Sequence, residues 1–329
     1  MSRVPVLVLR TAGINCDEET MYAWRLAGAD PALVHVNRLA ENPGMIDDHA
    51  ILTIPGGFSY GDDIAAGSIL AQRLACGLTD RLSAFVDRGG GILGICNGFQ
   101  VLVKAGLLPG GPDGRAKVTV TYNDSAKFEA RWVRLEVSTD RCPFLARVLA
   151  TRSNTEDGEG VKPHRQSSAE PTRNPTRPRD SDGVEDDPHR EDDALNCDGT
   201  NTAGAASRGL KPAAQVGAPN PTHLEMPVEH AEGKVVVADG GVLDKLTAGG
   251  FVALRYVDAD GQTDVYPANP NGSDGGIAGL CDATGRIFGL MPHPDRAFEH
   301  THHPHWTRRQ SDGPPDGLVV FQNAVAHWS

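Results

Sequence analysis

Apolar runs alternating with polar, helix-period segments organise the first hundred residues of this chain. Val4 to Leu9 is an unbroken apolar run, the pattern of a central parallel strand buried on both faces. Asp17 to Ala27 spaces Met21, Trp24 and Leu26 among charges and reads as a helix. Asp17, Glu18 and Glu19 sit in its first turn, where the helix dipole favours negative charge. Ala32 to Val36 and Ala50 to Ile54 are the next two strands, the latter closing on Pro55-Gly56-Gly57. Ala65 to Cys76 and Thr79 to Arg88 read as helices, and Gly89-Gly90-Gly91 leads into the strand Ile92 to Ile95. Strands alternating with helices predict an α/β fold: a mostly parallel central sheet with helices on both faces, its functional groups gathered at the carboxyl ends of the strands. Lys117 to Tyr122, Arg131 to Ser138, Val235 to Ala238, Phe251 to Val257 and Ile287 to Leu290 add further β elements, and Leu318 to His327 is a closing helix.

The pattern fails between 151 and 223. Val161, Val184, Leu195, Leu210 and Val216 are the only large apolar residues there, among Pro, Arg, Asp, Glu, Ser, Thr, Asn and Gly. Such a stretch cannot bury enough surface to offset chain entropy, so it is expected to be a disordered insertion in a single domain spanning 1–329. A segment that folds on a partner is the rival reading.

The remaining composition narrows the function. A net charge of −12 argues against a nucleic-acid or anionic-membrane surface. Six scattered cysteines with no C-x-x-C pair argue against a disulfide framework or a structural zinc site and suit a reducing cytoplasm. The opening apolar run is too short for a signal peptide, and no stretch reaches the length of a membrane span.

Candidate chemistry centres on Cys96. Gly94-Ile95-Cys96-Asn97-Gly98 comes after an apolar strand and precedes the helical Phe99-Gln100-Val101-Leu102. This is the nucleophile-elbow pattern, with cysteine where hydrolases place serine. The turn forces one side chain into a strained position at the sheet's edge. Flanking glycines are needed because a Cβ would collide with the neighbouring strand or helix. The helix behind the sulfur favours thiolate. A cysteine nucleophile needs a base, and His293, in the rigid frame Pro292-His293-Pro294 after the strand ending at Leu290, is the candidate. Asp295 is placed to orient the imidazole. The N–H groups of Gly57 and Asn97 would form a two-donor oxyanion hole. Asp62 and Asp63 are read as caps of the next helix. His300, His302, His303 and His305 lack a helical ligand spacing and read as a solvated loop or partner contact; no metal is expected.

The chain resembles the class I (triad) glutamine amidotransferases, and among them the glutaminase subunits of phosphoribosylformylglycinamidine synthase (PurQ type). The segments that carry the resemblance are Asn15-Cys16-Asp17, PGGFSYGD from Pro55, GICNGFQ from Gly94, Asn123 to Phe128 with Arg131-Trp132-Val133, PVEHAEG from Pro227, YPANPNGS from Tyr266 and GLMPHPDR from Gly289. The resemblance implies a glutaminase in which Cys96 attacks glutamine and His293 serves as acid and base. Gln100, Asn123, Ser125 and Phe128 would hold the substrate, and His230 and Glu232 would line the rim or the ammonia exit, with an ordinary polar loop as the equal alternative. It also implies a synthetase partner that carries ATP and magnesium and receives the ammonia, with a small third subunit in some assemblies and no cofactor on this chain. The absence of a G-x-x-x-x-G-K-[ST] loop agrees with ATP chemistry elsewhere. One departure stands out. The family has His-Pro-Glu where this chain has His293-Pro294-Asp295, one methylene shorter, with Glu299 as a more distant substitute. An amidotransferase for another acceptor and a non-catalytic relative are the competing readings.

Overall fold

The computed structural model describes residues 3–110, 117–149, 223–309 and 313–329. Almost the whole expected insertion at 151–223 lies outside the described residues; His223, its last position, opens a strand.

The elements run in the order β1 (Pro5–Arg10), α1 (Asp17–Leu26), β2 (Asp30–His35), α2 (Val36–Glu41), β3 (Ile51–Ile54), α3 (Ser68–Gly77), α4 (Thr79–Asp87), β4 (Gly91–Ile95), α5 (Asn97–Ala105), β5 (Val118–Thr121), β6 (Glu129–Val137), β7 (His223–His230), β8 (Lys234–Val237), β9 (Val252–Tyr256), β10 (Ile277–Cys281) and β11 (Ile287–Leu290). A helix Gly240–Ala248 precedes β9, and Asp316–Trp328 closes the chain. The main sheet has nine strands in the order β2-β1-β3-β4-β11-β10-β9-β6-β7. Its first five strands are parallel, and its last four join antiparallel. The β5–β8 pair forms a separate small sheet.

Burial explains the parallel half. β3, β4 and β11 are buried at every position, as strands covered on both faces must be. Trp24 of α1 is fully buried; its indole donates to Thr53 Oγ1 at 3.0 Å, and its ring meets Phe321 of the closing helix edge-on. Two expected bounds shift. The second strand gives way to helix at Val36. The helix expected from Ala65 begins at Ser68, because Gly67 takes a left-handed turn (φ 73°) before it.

The register places chemistry at one edge. Ile54 pairs with Gly94 and Ile95 with Leu290, so β3, β4 and β11 end side by side. Just beyond those three ends lie Gly56-Gly57, Cys96 and His293, respectively.

The glycines flanking the nucleophile are required by space. A Cβ on Gly94 would lie 2.7 Å from the Gly98 carbonyl oxygen, and one on Gly98 would overlap the carbonyl oxygen of Ile54. Gly98→Ala is therefore expected to destabilise the protein by about 2–3 kcal/mol, because backbone cannot yield as a side chain can. Denaturant unfolding measures this; an unchanged midpoint would mean that α5 can move off β3.

Candidate active site

Cys96 bridges β4 and α5 with φ 49° and ψ −103°, a strained conformation for a residue with a Cβ. Its N–H is held by the Leu290 carbonyl at 2.8 Å, and its sulfur lies 3.7 Å from the Glu229 carbonyl. His293 is 2% exposed, and its backbone N–H donates to Pro227 at 2.8 Å. Its imidazole shares a pocket with the side chains of Cys96 and Cys16, packed around Gly56. Gly56 is wedged among these groups. A Cβ there would lie 2.7 Å from His293 Cε1, 3.2 Å from Cys16 Sγ and 3.5 Å from Cys96 Cβ.

The shorter carboxylate reaches. Asp295 Oδ1 is 3.2 Å from His293 Nδ1, and Oδ2 accepts from Thr20 Oγ1 at 2.8 Å. Asp295 is completely buried on the turn Pro294–Arg296. Glu299 pairs loosely with His302 at 4.0 Å, on the surface, and takes no part. Burial alone would lower the affinity of His293 for a proton. Electrostatic attraction between the imidazolium and the Cys96 side chain, the hydrogen bond to Asp295 and the polar contacts with Cys16 and Cys96 outweigh it, and hold the imidazole well above its ordinary range. The imidazole thus holds its proton beside the Cys96 sulfur. Burial pushes the Cys16 thiol upward too, so it stays protonated beside them.

Gly57, in an extended left-handed conformation (φ 134°), lines the cleft that contains Cys96. Asn97 is the first residue of α5, where backbone N–H groups have no acceptor within the helix. The Asn97 side chain ties the cleft together. Its Oδ1 accepts from Ser59 N at 3.2 Å, and its Nδ2 donates to Asp62 Oδ1 at 3.1 Å and Gln100 Oε1 at 2.9 Å. Gln100 in turn donates to the Glu232 carbonyl. Asp62 Oδ1 also takes Gly67 N at 3.0 Å, at the start of α3, while Asp63 packs beside Gly61.

Other sequence-implied residues stand apart from the cleft lining. Asn123 is buried and bonded to the Lys127 and His230 carbonyls. Ser125 donates to Glu129 Oε1 at 2.7 Å, and the Phe128 ring is half exposed. His303 pairs with Glu225 at 3.0 Å, beside a separate cavity of about 270 Å³. Glu232 and His230 do line the Cys96 cleft.

Four contacts were not legible in the sequence: Thr20, Cys16, Arg296 and Glu229. Arg296 reaches Cys16 Sγ at 3.3 Å and Glu19 at 3.2 Å, and it pairs with Glu229. No helix among the described residues is long and apolar enough to cross a membrane.

A family model described as the CobB/CobQ-like glutamine amidotransferase domain matches residues 3–172 and 214–328. A Dehalococcoides mccartyi protein named phosphoribosylformylglycinamidine synthase subunit PurQ is 35% identical over 326 residues, covering 99% of this chain and 98% of its own. A protein of the same name from Archaeoglobus fulgidus is 31% identical, with 98% and 96% coverage. A solved chain in the structure of PurLQS from Thermotoga maritima superposes with a TM-score of 0.57 at 25% identity, covering 99% of this chain and all of that one.

Proposed function

This chain belongs to the CobB/CobQ-like glutamine amidotransferase family, and from that premise we propose that it is the glutaminase subunit of phosphoribosylformylglycinamidine synthase. One observation carries the reading: Cys96 and His293, almost two hundred positions apart, meet at the carboxyl edge of the sheet with Asp295 behind the imidazole.

The chemistry derives from that arrangement. The Cys96 thiolate attacks the side-chain carbonyl carbon of glutamine, forming a C–S bond. The Gly57 and Asn97 N–H groups receive the resulting oxyanion. Collapse breaks the C–N bond as His293 gives its proton to the leaving nitrogen, and ammonia departs. A γ-glutamyl thioester remains. His293, now neutral, takes a proton from water as its oxygen attacks the thioester, and glutamate leaves. Asp295 holds Nδ1 throughout, so Nε2 faces the reaction. Gln100 lines the substrate cleft; Asn123, Ser125 and Phe128 support it from outside the lining. ATP and magnesium belong to the synthetase subunit, which consumes the ammonia, and no cofactor is required on this chain. The site needs no resident metal, and the reading places the subunit in the cytoplasm.

The cleft beside Cys96 encloses only about 50 Å³, whereas pockets that bind small molecules typically enclose about 300 Å³ or more. The reading therefore includes opening of this cleft on assembly with the synthetase. Chain, synthetase partner and ATP together are expected to release glutamate at least about tenfold faster than the chain alone. Glutamate release measured by a coupled assay tests this. A complex that forms but releases no glutamate would end the reading.

A further inference from the structure

Strand β7 ends on His230, which is 3% exposed and lines the same cleft as Cys96. Its Nδ1 lies 3.2 Å from Asn123 Oδ1. The orientation of that amide is determined by its other partners. Asn123 Nδ2 donates to the carbonyls of Lys127 at 2.9 Å and His230 at 2.8 Å, while Oδ1 accepts from Gly233 N at 2.9 Å. An acceptor therefore faces Nδ1, and the ring hydrogen sits there. Nε2 is left with a bare lone pair. It is buried, and it has no hydrogen-bond partner among the described residues. An unsatisfied buried acceptor is costly, and such groups persist where a ligand completes them. Burial, reinforced by the charge of nearby His293, lowers the imidazole's pKa to about 3, so the ring is a neutral acceptor at every working pH. Gly233 backs the ring so closely that a Cβ there would overlap it, which fixes its position.

We propose that His230 Nε2 is a catalytic acceptor, taking a hydrogen bond from the carboxamide N–H of glutamine and then from the departing ammonia. The proposal rests on the glutaminase reading above and adds a residue to it. The acceptor distinguishes a carboxamide, which brings N–H donors, from a carboxylate or an ester, which brings none. It forms and breaks no covalent bond. Because it stays neutral it withholds any proton from ammonia, which leaves in the uncharged form that the next reaction needs as a nucleophile. Asn123 becomes a positioning residue that sets the tautomer.

The test compares two substrates in the complex with the synthetase: glutamine, and a γ-alkyl ester of glutamate, whose leaving oxygen carries no N–H. His230→Phe should lower kcat/KM for glutamine about a hundredfold and for the ester by no more than about threefold. His230→Gln, which restores an acceptor, should recover part of the loss. Asn123→Leu should also affect glutamine more than ester. Co-elution with the synthetase subunit on size-exclusion chromatography reports whether each variant has assembled. Equal losses on both substrates would overturn the proposal and leave His230 a structural residue. If His230→Phe does not assemble, the native ring decides: in the Cys96→Ala complex, the Nε2 resonance in a nitrogen-15 spectrum should move when glutamine binds and stay put with the ester. A resonance that ignores glutamine would overturn the proposal. Native complex that cleaves neither substrate would instead defeat the glutaminase reading itself.

Discussion

Replacing Cys96 with alanine is expected to end glutamine-dependent synthesis by the complex while synthesis from added ammonia continues. The sulfur is the atom that bonds to the substrate, and nothing else at the carboxyl edge of the sheet can replace it. Cys16 is the nearest rival thiol, but burial holds it protonated, and its sulfur is engaged by Arg296 at 3.3 Å. The expected loss of glutaminase turnover is at least about 10⁴-fold, the scale on which removal of a covalent nucleophile acts. The fold should survive, because alanine leaves the strained turn and its flanking glycines untouched. Free ammonia bypasses the thioester, so the synthetase reaction reports an active partner, and co-elution of the two subunits reports that the complex is intact. Loss of co-elution would point to failed assembly; retention of both activities would remove Cys96 from the mechanism.

Asp295→Asn is expected to lower kcat for glutamine by about a thousandfold with little change in KM. The substitution keeps the shape and the contact with Thr20 but removes the negative charge that supports the His293 imidazolium. The carboxylate raises the affinity of His293 for its proton, which sets the sign of the pH effect. Without it, the imidazolium gives up its proton at lower pH, so the alkaline limb of the activity profile should move toward neutrality. An unmoved limb with near-normal turnover would show that another group orients the ring, and the family's longer glutamate would then have no functional counterpart here.

The catalytic edge was readable in the sequence because its constraints are local. Gly94 and Gly98 are spaced by the sterics of one turn, and the apolar runs of β1, β3 and β4 record burial on both faces. The antiparallel half was only partly readable. β7 carries its alternation through Leu224, Met226, Val228 and His230, but it emerges directly from the polar stretch and contains Pro227 and two glutamates. β10 was missed because Gly279 interrupts its short run; the glycine is there because a Cβ would lie 2.9 Å from the Gly289 carbonyl oxygen. The second layer of the site was not readable at all. Thr20 meets Asp295 across 275 positions, and Cys16 meets Arg296 across 280. No periodicity encodes such contacts; they arise from where β1 and β11 end in the sheet. His230 was visible as a motif residue, but its bare Nε2 depends on the orientation of the Asn123 amide, which only the folded network determines.

Catalysis here turns on a covalent bond between substrate and one sulfur. Rapid acid quench of the native complex during turnover, with peptide mass spectrometry of the products, looks for that bond directly, because acid arrests hydrolysis of the thioester. A γ-glutamyl adduct on the peptide containing Cys96, absent when Cys96 is alanine, is the predicted result. Glutamate release with no adduct on that peptide, or an adduct on Cys16 instead, would contradict it.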